Sequence, residues 1–149
     1  MKRLVILLSL FALWFAVSQT PSNTTKRMSK YMTDYLKIQE ALAADDFNSA
    51  ASAAKSLQSY CETLSLRSPP YNEMHRSLED LVAQKDIKAF RKSFKTYSKS
   101  MLELLKKEGK PSDIFIAECP MAQAKWIQRG KQLRNPYYGK EMLECGSIL

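Results

Sequence analysis

The sequence is poor in the residues on which most enzymes depend. Its 149 residues include one histidine and four glycines. They contain no Gly-rich phosphate loop, no HExxH, no CxxC and no G-x-S-x-G motif. With a single histidine and no convincing pair of carboxylates, general acid–base catalysis has few candidate residues. We therefore expect a protein that is not an enzyme.

The sequence also lacks an apolar run long enough to span a membrane. Its longest run, Leu4 to Val17, follows Lys2 and Arg3 and is shorter than the roughly 20 residues that a spanning helix needs. Residues 16–18 have the small-x-small pattern that signal peptidase reads. We predict a signal peptide at residues 1–18, hence export and no stable membrane insertion after cleavage. A membrane anchor is the alternative.

Acidic residues are fewer than basic ones. The formal charge is +8, or +6 once Lys2 and Arg3 are removed with the signal peptide. A basic balance often indicates a nucleic-acid partner, but export argues against one. The basic residues of the fourth helical segment lie opposite its apolar stripe, and we interpret them as a solvated face that serves solubility or weak attraction to a membrane surface. They are Lys88, Arg91, Lys92, Lys95 and Lys99.

Apolar residues recur every three or four positions in four segments, which predicts four amphipathic helices. The segments run from 28 to 42, 47 to 64, 71 to 81 and 87 to 104. Asp45 or Asp46, Pro69 with Pro70, and Asp86 suit helix starts, and Gly109 suits a helix end. We predict an all-α fold in one domain: an antiparallel up-down four-helix bundle at residues 19–111. An irregular segment at 112–149, here called the tail, would fold back on the bundle, with a brief extended piece at 114–116 and a broken helix at 122–131.

Four sulfur atoms are concentrated in the tail. Cys119 and Met121 flank a proline that restricts the chain, and Met142 and Cys145 share a face if their segment is helical. Thiolates with thioethers suit Cu(I) or another soft metal ion better than Zn²⁺. One interpretation of these four residues is therefore a soft-metal site.

A disulfide is the other interpretation, because two cysteines in an exported domain usually pair. A bridge between Cys119 and Cys145 would close a loop of about 27 residues and stabilise the fold by roughly 3 kcal/mol. The sequence leaves both interpretations open. Cys61 is separate: it lies in the apolar stripe of the second helix, where it is expected to pack as a small hydrophobe.

Two further residues are candidates near a bound metal. His75, at the border of the third helix's stripe, is either a ligand or an exposed or locally bonded side chain. Trp126 either covers a bound cation with its ring or anchors the tail on the core.

The chain resembles an uncharacterised helical domain of exported bacterial proteins, which is also appended to periplasmic adaptor subunits of copper/silver-type heavy-metal efflux pumps. Residues 35–46 and 86–94 carry part of this resemblance. The tail carries the more specific part: Cys119-Pro120-Met121-Ala122, Trp126, Asn135-Pro136-Tyr137-Tyr138-Gly139, Met142-Leu143 and Cys145-Gly146.

The resemblance implies a periplasmic, metal-associated accessory domain without enzymatic activity. It also implies a heavy-metal efflux adaptor as a partner, and Cys119, Met121, Met142 and Cys145 as the matched positions. The expected function is binding of copper or another soft metal, for buffering or delivery to an efflux system. The alternative is a structural or interaction domain of the cell envelope, closed by the Cys119–Cys145 disulfide and without a metal role. A thiol redox protein is disfavoured, because CxxC is absent.

Overall fold

Four helices dominate the fold, as the apolar periodicity predicts. The computed structural model describes residues 23–64 and 71–149. The helices are α1 (Asn23–Ala43), α2 (Phe47–Leu64), α3 (Tyr71–Val82) and α4 (Ile87–Glu108). The predicted signal peptide and the two prolines at 69 and 70 lie outside the described residues.

The helix boundaries follow from capping side chains. Asp46 accepts the Ser49 backbone N–H at 2.9 Å, and Asp86 accepts that of Ala89 at the same distance. These carboxylates satisfy donors that the first turn of a helix leaves unpaired. Gly109, with φ +95°, ends α4 and donates its N–H to the Leu105 carbonyl. The predicted starts of α2 and α4 and the end of α4 are therefore confirmed.

The core consists of the apolar stripes of the four helices. Each helix packs on its neighbour in the chain, and α1 also contacts α4. Tyr35, Phe94 and Tyr97 are fully buried at the α1–α4 contact, where the rings of Tyr35 and Phe94 stack with centroids 5.3 Å apart. Cys61 is buried on the face of α2 that carries Ala54 and Leu57, as its position in the stripe predicts. The up-down order of the helices stays a prediction.

The all-α prediction is wrong for the tail, which forms a small antiparallel sheet. Its strands are β1 (Ile114–Cys119), β2 (Ala124–Arg129) and β3 (Ser147–Ile148), in the order β2-β1-β3. A 3₁₀ helix, Gly139–Met142, lies between β2 and β3. The predicted extended piece is confirmed as β1, whereas the predicted broken helix at 122–131 is β2.

The strands form because tertiary contacts favour them over a helix. β1 pairs with β2 from Ile114 opposite Arg129 to Cys119 opposite Ala124, and the four-residue connection places Gln123 at φ +50°. β2 packs on α4 and α1. The Ile127 N–H donates to the Tyr35 hydroxyl at 3.2 Å. The sheet is thus attached to the helical core through β2.

No helix in the described ranges is long and apolar enough to cross a bilayer.

Candidate thiol site in the tail

The tail brings Cys119 and Cys145 into direct contact. Cys119 ends β1, Cys145 lies between the 3₁₀ helix and β3, and their Sγ atoms are 3.2 Å apart. Both are free thiols. The separation exceeds the roughly 2.05 Å of a disulfide bond. It is shorter than the roughly 3.8 Å that two thiolates would span on a tetrahedral metal with bonds of about 2.3 Å. A small approach of the two sulfur atoms would give the disulfide, and a small separation would give the metal-bound pair.

Asn135 holds the loop that carries Cys145. Its side chain is fully buried. The amide Nδ2 donates to the Cys145 carbonyl and Oδ1 accepts the Tyr137 N–H, each at 2.8 Å. Its backbone N–H also donates to the Leu143 carbonyl at 2.7 Å. One residue therefore closes the segment from 135 to 145 and sets the position of the second thiol.

Arg91 attaches this loop to the helices. Its Nε donates to the Pro136 carbonyl at 2.9 Å, and Nη2 donates to the Leu42 carbonyl at 2.7 Å. Nη2 also pairs with Asp45 at 2.5 Å, and the other Asp45 oxygen accepts the Lys140 N–H at 3.1 Å. Sequence reasoning placed Arg91 on a solvated face. In the structure its side chain is largely buried, because α1, α4 and the tail meet there.

Two glycines of the tail occupy places where no side chain fits. Gly139 has φ +59°, and a Cβ there would overlap the Asp45 carboxylate and the Arg91 guanidinium. Gly146 has φ +142°, and its Cβ would overlap the Glu118 carbonyl and lie 2.9 Å from Trp126 Cη2. Both positions also have a backbone conformation that favours glycine. These glycines let the tail lie close to the helices and to β1.

The surroundings of the two thiols shift their pKa values in opposite directions. Burial by itself raises the pKa of the Cys119 thiol. Hydrogen bonds from the Ala122 N–H, the Cys145 thiol, the Asn135 side chain and the Met121 N–H outweigh it and lower the pKa below its usual value. The hydrogen bond with Cys119 is the main reason that the pKa of Cys145 is raised, and burial raises it further. Cys119 is therefore the more acidic thiol of the pair.

Cys61 takes no part in this pair. Burial, the largest cause, raises its pKa to about 12, so the thiol stays protonated near neutral pH. A protonated thiol is a poor nucleophile and a poor metal ligand. This agrees with the predicted packing role.

The two methionines lie between the two cysteines in sequence but differ in exposure. Met121 lies in the connection between β1 and β2, and its side chain is 64% exposed. Met142 is half-buried at the end of the 3₁₀ helix, where its carbonyl accepts the Cys145 N–H at 3.1 Å. Met142 therefore shares a turn with Cys145, whereas the Met121 side chain faces solvent.

His75 lies in the helical part of the protein. Its Nε2 is 3.3 Å from the Tyr31 hydroxyl, and burial lowers its pKa. Among the described residues, no three side chains of His, Cys, Asp or Glu come together in a group that could hold a metal ion. His75 is thus not brought together with Cys119 and Cys145, and the structure shows it as a locally bonded side chain.

Trp126 anchors the tail. It is fully buried, its indole Nε1–H donates to Gln128 Oε1 at 2.9 Å, and its ring meets that of Tyr137 edge-on with centroids 6.0 Å apart. Gly146, next to Cys145, lies against the edge of the indole. Trp126 thus borders the loop that carries the second thiol.

Sequence reasoning found the two cysteines but missed the residues that position them. In the sequence, Asn135 and Pro136 enter only as part of the family resemblance, although an asparagine side chain often hydrogen-bonds its own backbone two residues on. Other contacts join elements that are distant in sequence. They are made by Arg91, Asp45 and Lys95, and the Lys95 Nζ donates to the Ala122 carbonyl at 2.7 Å. No local pattern indicates such contacts.

The family of the chain is shown by a comparison with protein families. The family described as "Protein of unknown function (DUF3347)" matches residues 31–113. The match covers more than half of the 149 residues, and the chain belongs to this family. The matched range contains most of α1 and all of α2 to α4 but ends before β1, so the thiol pair lies outside it. Searches of curated proteins and of solved structures found no match.

Proposed function

We propose that this is an exported accessory protein that binds a soft metal ion, Cu(I) first among them, through Cys119 and Cys145. The bound ion would be buffered outside the inner membrane or delivered to a heavy-metal efflux system. The proposed role is binding, without catalysis.

One observation carries the proposal: two thiols far apart in the chain have their Sγ atoms 3.2 Å apart. The lowered pKa of Cys119 adds support, because the thiolate is the form that binds metal. In the part of the chain that the structure describes, no histidine or carboxylate joins the two thiols in a group that could hold a metal ion, and two sulfur donors by themselves suit a soft, monovalent ion. The donor set present therefore fits Cu(I).

The thioethers are proposed as additional donors. Met142 is the better placed, because it shares a turn with Cys145 and is half-buried. Met121 lies two residues after Cys119 on an exposed turn, where its side chain is free to reorient. With either methionine the ion would have three sulfur ligands.

The compartment and the partner are proposed from the sequence. The charged and apolar segments of residues 1–18 have the form of a signal peptide, which supports export. The similarity of the tail to a domain of copper/silver efflux adaptors supports a periplasmic location and an adaptor as the partner.

The proposal is tested by titrating the reduced, purified protein with Cu(I) in the presence of a competing chelator. We expect one tightly bound Cu(I) per chain, with sulfur ligands in X-ray absorption spectra. The Cys119→Ser/Cys145→Ser double variant should lose this site, because the serine hydroxyls are hard, neutral donors.

Cys61→Ala is the matched control, since it removes the third cysteine from the helical core and leaves the tail unchanged. It should bind Cu(I) as the unmodified protein does. Equal Cu(I) affinity in the double serine variant and the parent protein would rule out the thiolate site.

A structural role is the second candidate, favoured by the same short distance. Closing the Sγ–Sγ gap from 3.2 Å to about 2.05 Å needs little movement, so oxidation would connect β1 to the loop before β3. The protein would then be an envelope interaction domain with a disulfide.

Thiol alkylation followed by mass measurement separates the two candidates. In the structural case, protein isolated without reductant should show no alkylation of Cys119 and Cys145 until it is reduced, and it should ignore Cu(I) in both states. Alkylation of both cysteines before reduction, together with Cu(I) binding, would contradict this second candidate.

A further inference from the structure

A groove runs beside Cys119, between α4 and the sheet. Its volume is about 830 Å³, and its lining includes Cys119 and Pro120 at the end of β1. Apolar side chains of both walls line it: Leu102 of α4, Ile116 of β1 and Ala124 of β2. The groove therefore offers an apolar floor next to Cys119.

Lysines dominate the charge of the groove. Lys95, Lys99 and Lys106 come from α4 and Lys125 from β2, against the two carboxylates of Glu103 and Glu118. Four lysines against two glutamates leave a net side-chain charge of +2. The groove is thus basic as well as apolar.

The uncompensated charge lies at the Cys119 end. Lys106 pairs with Glu103 at 2.7 Å, and Lys125 with Glu118 at 3.7 Å. Lys95 instead donates to the carbonyl of Ala122, whose N–H donates to Cys119 Sγ at 3.4 Å. Within 23–64 and 71–149, no carboxylate forms an ion pair with Lys95 or Lys99.

A second groove of the protein provides a contrast. It has a volume of about 550 Å³ and lies where α1 and the end of α4 meet the tail. Its two basic side chains, Lys110 and Arg129, face two acidic ones, Glu108 and Asp113. That groove is electrically balanced, in contrast to the groove beside Cys119.

The exposed apolar side chains also point to this groove. Among the described residues, the large hydrophobic side chains that are exposed are Met121, at 64%, and Leu149, at 61%. Leu149 lines the groove, and Met121 lies in the turn between two groove residues, Pro120 and Gln123. Exposed apolar side chains beside a concave surface are typical of protein interfaces.

We infer that the groove is a docking site for an acidic segment of a partner protein, with apolar side chains that reach the floor. Carboxylates of the segment would contact Lys95 and Lys99, and its apolar side chains would pack on Leu102 and Ile116. Docking would bring the partner's own ligands beside Cys119 for exchange of the metal. Only this last step rests on the proposed function, since docking itself needs no metal.

The experiment measures binding of a peptide to the purified, metal-free protein. The probe is a fluorescein-labelled peptide of about ten alternating Glu and Leu residues, and binding is followed by fluorescence anisotropy. The test variant is Lys95→Gln/Lys99→Gln, in which glutamine keeps a donor for the Ala122 carbonyl. Lys88→Gln/Lys92→Gln is the control: it changes the same charge, at the same spacing, on exposed positions of the same helix outside the groove.

We expect the test variant to bind the peptide about tenfold more weakly and the control to stay within about twofold, with affinity falling as salt is raised. A peptide with Lys in place of Glu should not bind. Equal weakening in both variants would overturn the inference, because the attraction would then follow net charge. Absence of peptide binding would also overturn it.

A lipid surface is tested in parallel with vesicles of phosphatidylcholine containing one quarter phosphatidylglycerol. Vesicle binding that depends on Lys95 and Lys99, without peptide binding, would assign the surface to membranes and reject the protein partner. Cu(I) affinity is measured separately, so a failure of docking and a failure of metal binding are distinguished.

Discussion

Replacing Trp126 by alanine is expected to lower the free energy of unfolding by about 3–5 kcal/mol. The indole is fully buried and packs edge-on against Tyr137 and against Gly146. Its loss leaves a cavity between the sheet and the loop that carries Cys145. It also removes the Nε1–H donor from Gln128 Oε1, which then keeps the longer bond from the Arg134 N–H at 3.2 Å.

Phe115→Ala is the matched control, because Phe115 is an aromatic residue of the same sheet that is only half-buried. It should cost about 1 kcal/mol or less, since little cavity forms at a partly exposed site. Urea unfolding followed by circular dichroism measures both changes. A loss below about 1 kcal/mol for Trp126→Ala would mean that the indole does not anchor the tail.

The second large effect is expected at Asn135. Replacing Asn135 by alanine should destabilise the protein by about 2–4 kcal/mol. The substitution leaves the Tyr137 N–H and the Cys145 carbonyl without their partners, and each buried group left unpaired costs about 1–3 kcal/mol. Gln132→Ala, at an exposed position in the preceding turn, is the control and should stay within about 0.5 kcal/mol.

Replacing Asn135 by alanine should also change the acidity of Cys119. The Asn135 side chain is one of the hydrogen-bond partners that lower the pKa of Cys119, so its removal should raise that pKa and reduce the thiolate fraction at neutral pH. Asn135→Asp should raise the pKa further, because a carboxylate repels the thiolate. The ultraviolet absorbance of the thiolate, followed against pH in a Cys61→Ala background, measures these shifts. A pKa that is unchanged in both Asn135 variants would exclude this role of Asn135.

The helical part of the fold was predictable because its signals are local. Residues such as Tyr35 in α1 and Phe94 in α4 are buried at the spacing of a helical face. Asp86 and Gly109 mark the ends of α4 through contacts with residues at most four positions away. Patterns of this kind depend on the backbone geometry of one helix, so they can be read without knowledge of the other helices.

The strands of the tail were harder to predict. Along β2, Trp126, Ile127 and Gln128 are all buried, so the strand lacks the alternation that a half-exposed strand shows. Gln128 is buried because its side chain bonds the carbonyls of Gly130 and Gln132 at 2.9 and 2.8 Å. A polar residue satisfied in this way gives no sequence signal of its burial.

The sequence alone therefore specified the four helices, the starts of α2 and α4, the end of α4 and the burial of Cys61, because these follow from short-range patterns. It also gave the expectation that Cys119 and Cys145 meet, because cysteine is rare in the chain. It did not specify the sheet, the Arg91 contacts with the tail, or which of the two thiols is the more acidic. Those depend on groups brought together from distant parts of the chain, where burial and hydrogen bonding set each energy. The 3.2 Å separation of the two sulfur atoms, on which the proposed function rests, likewise depends on the tertiary structure.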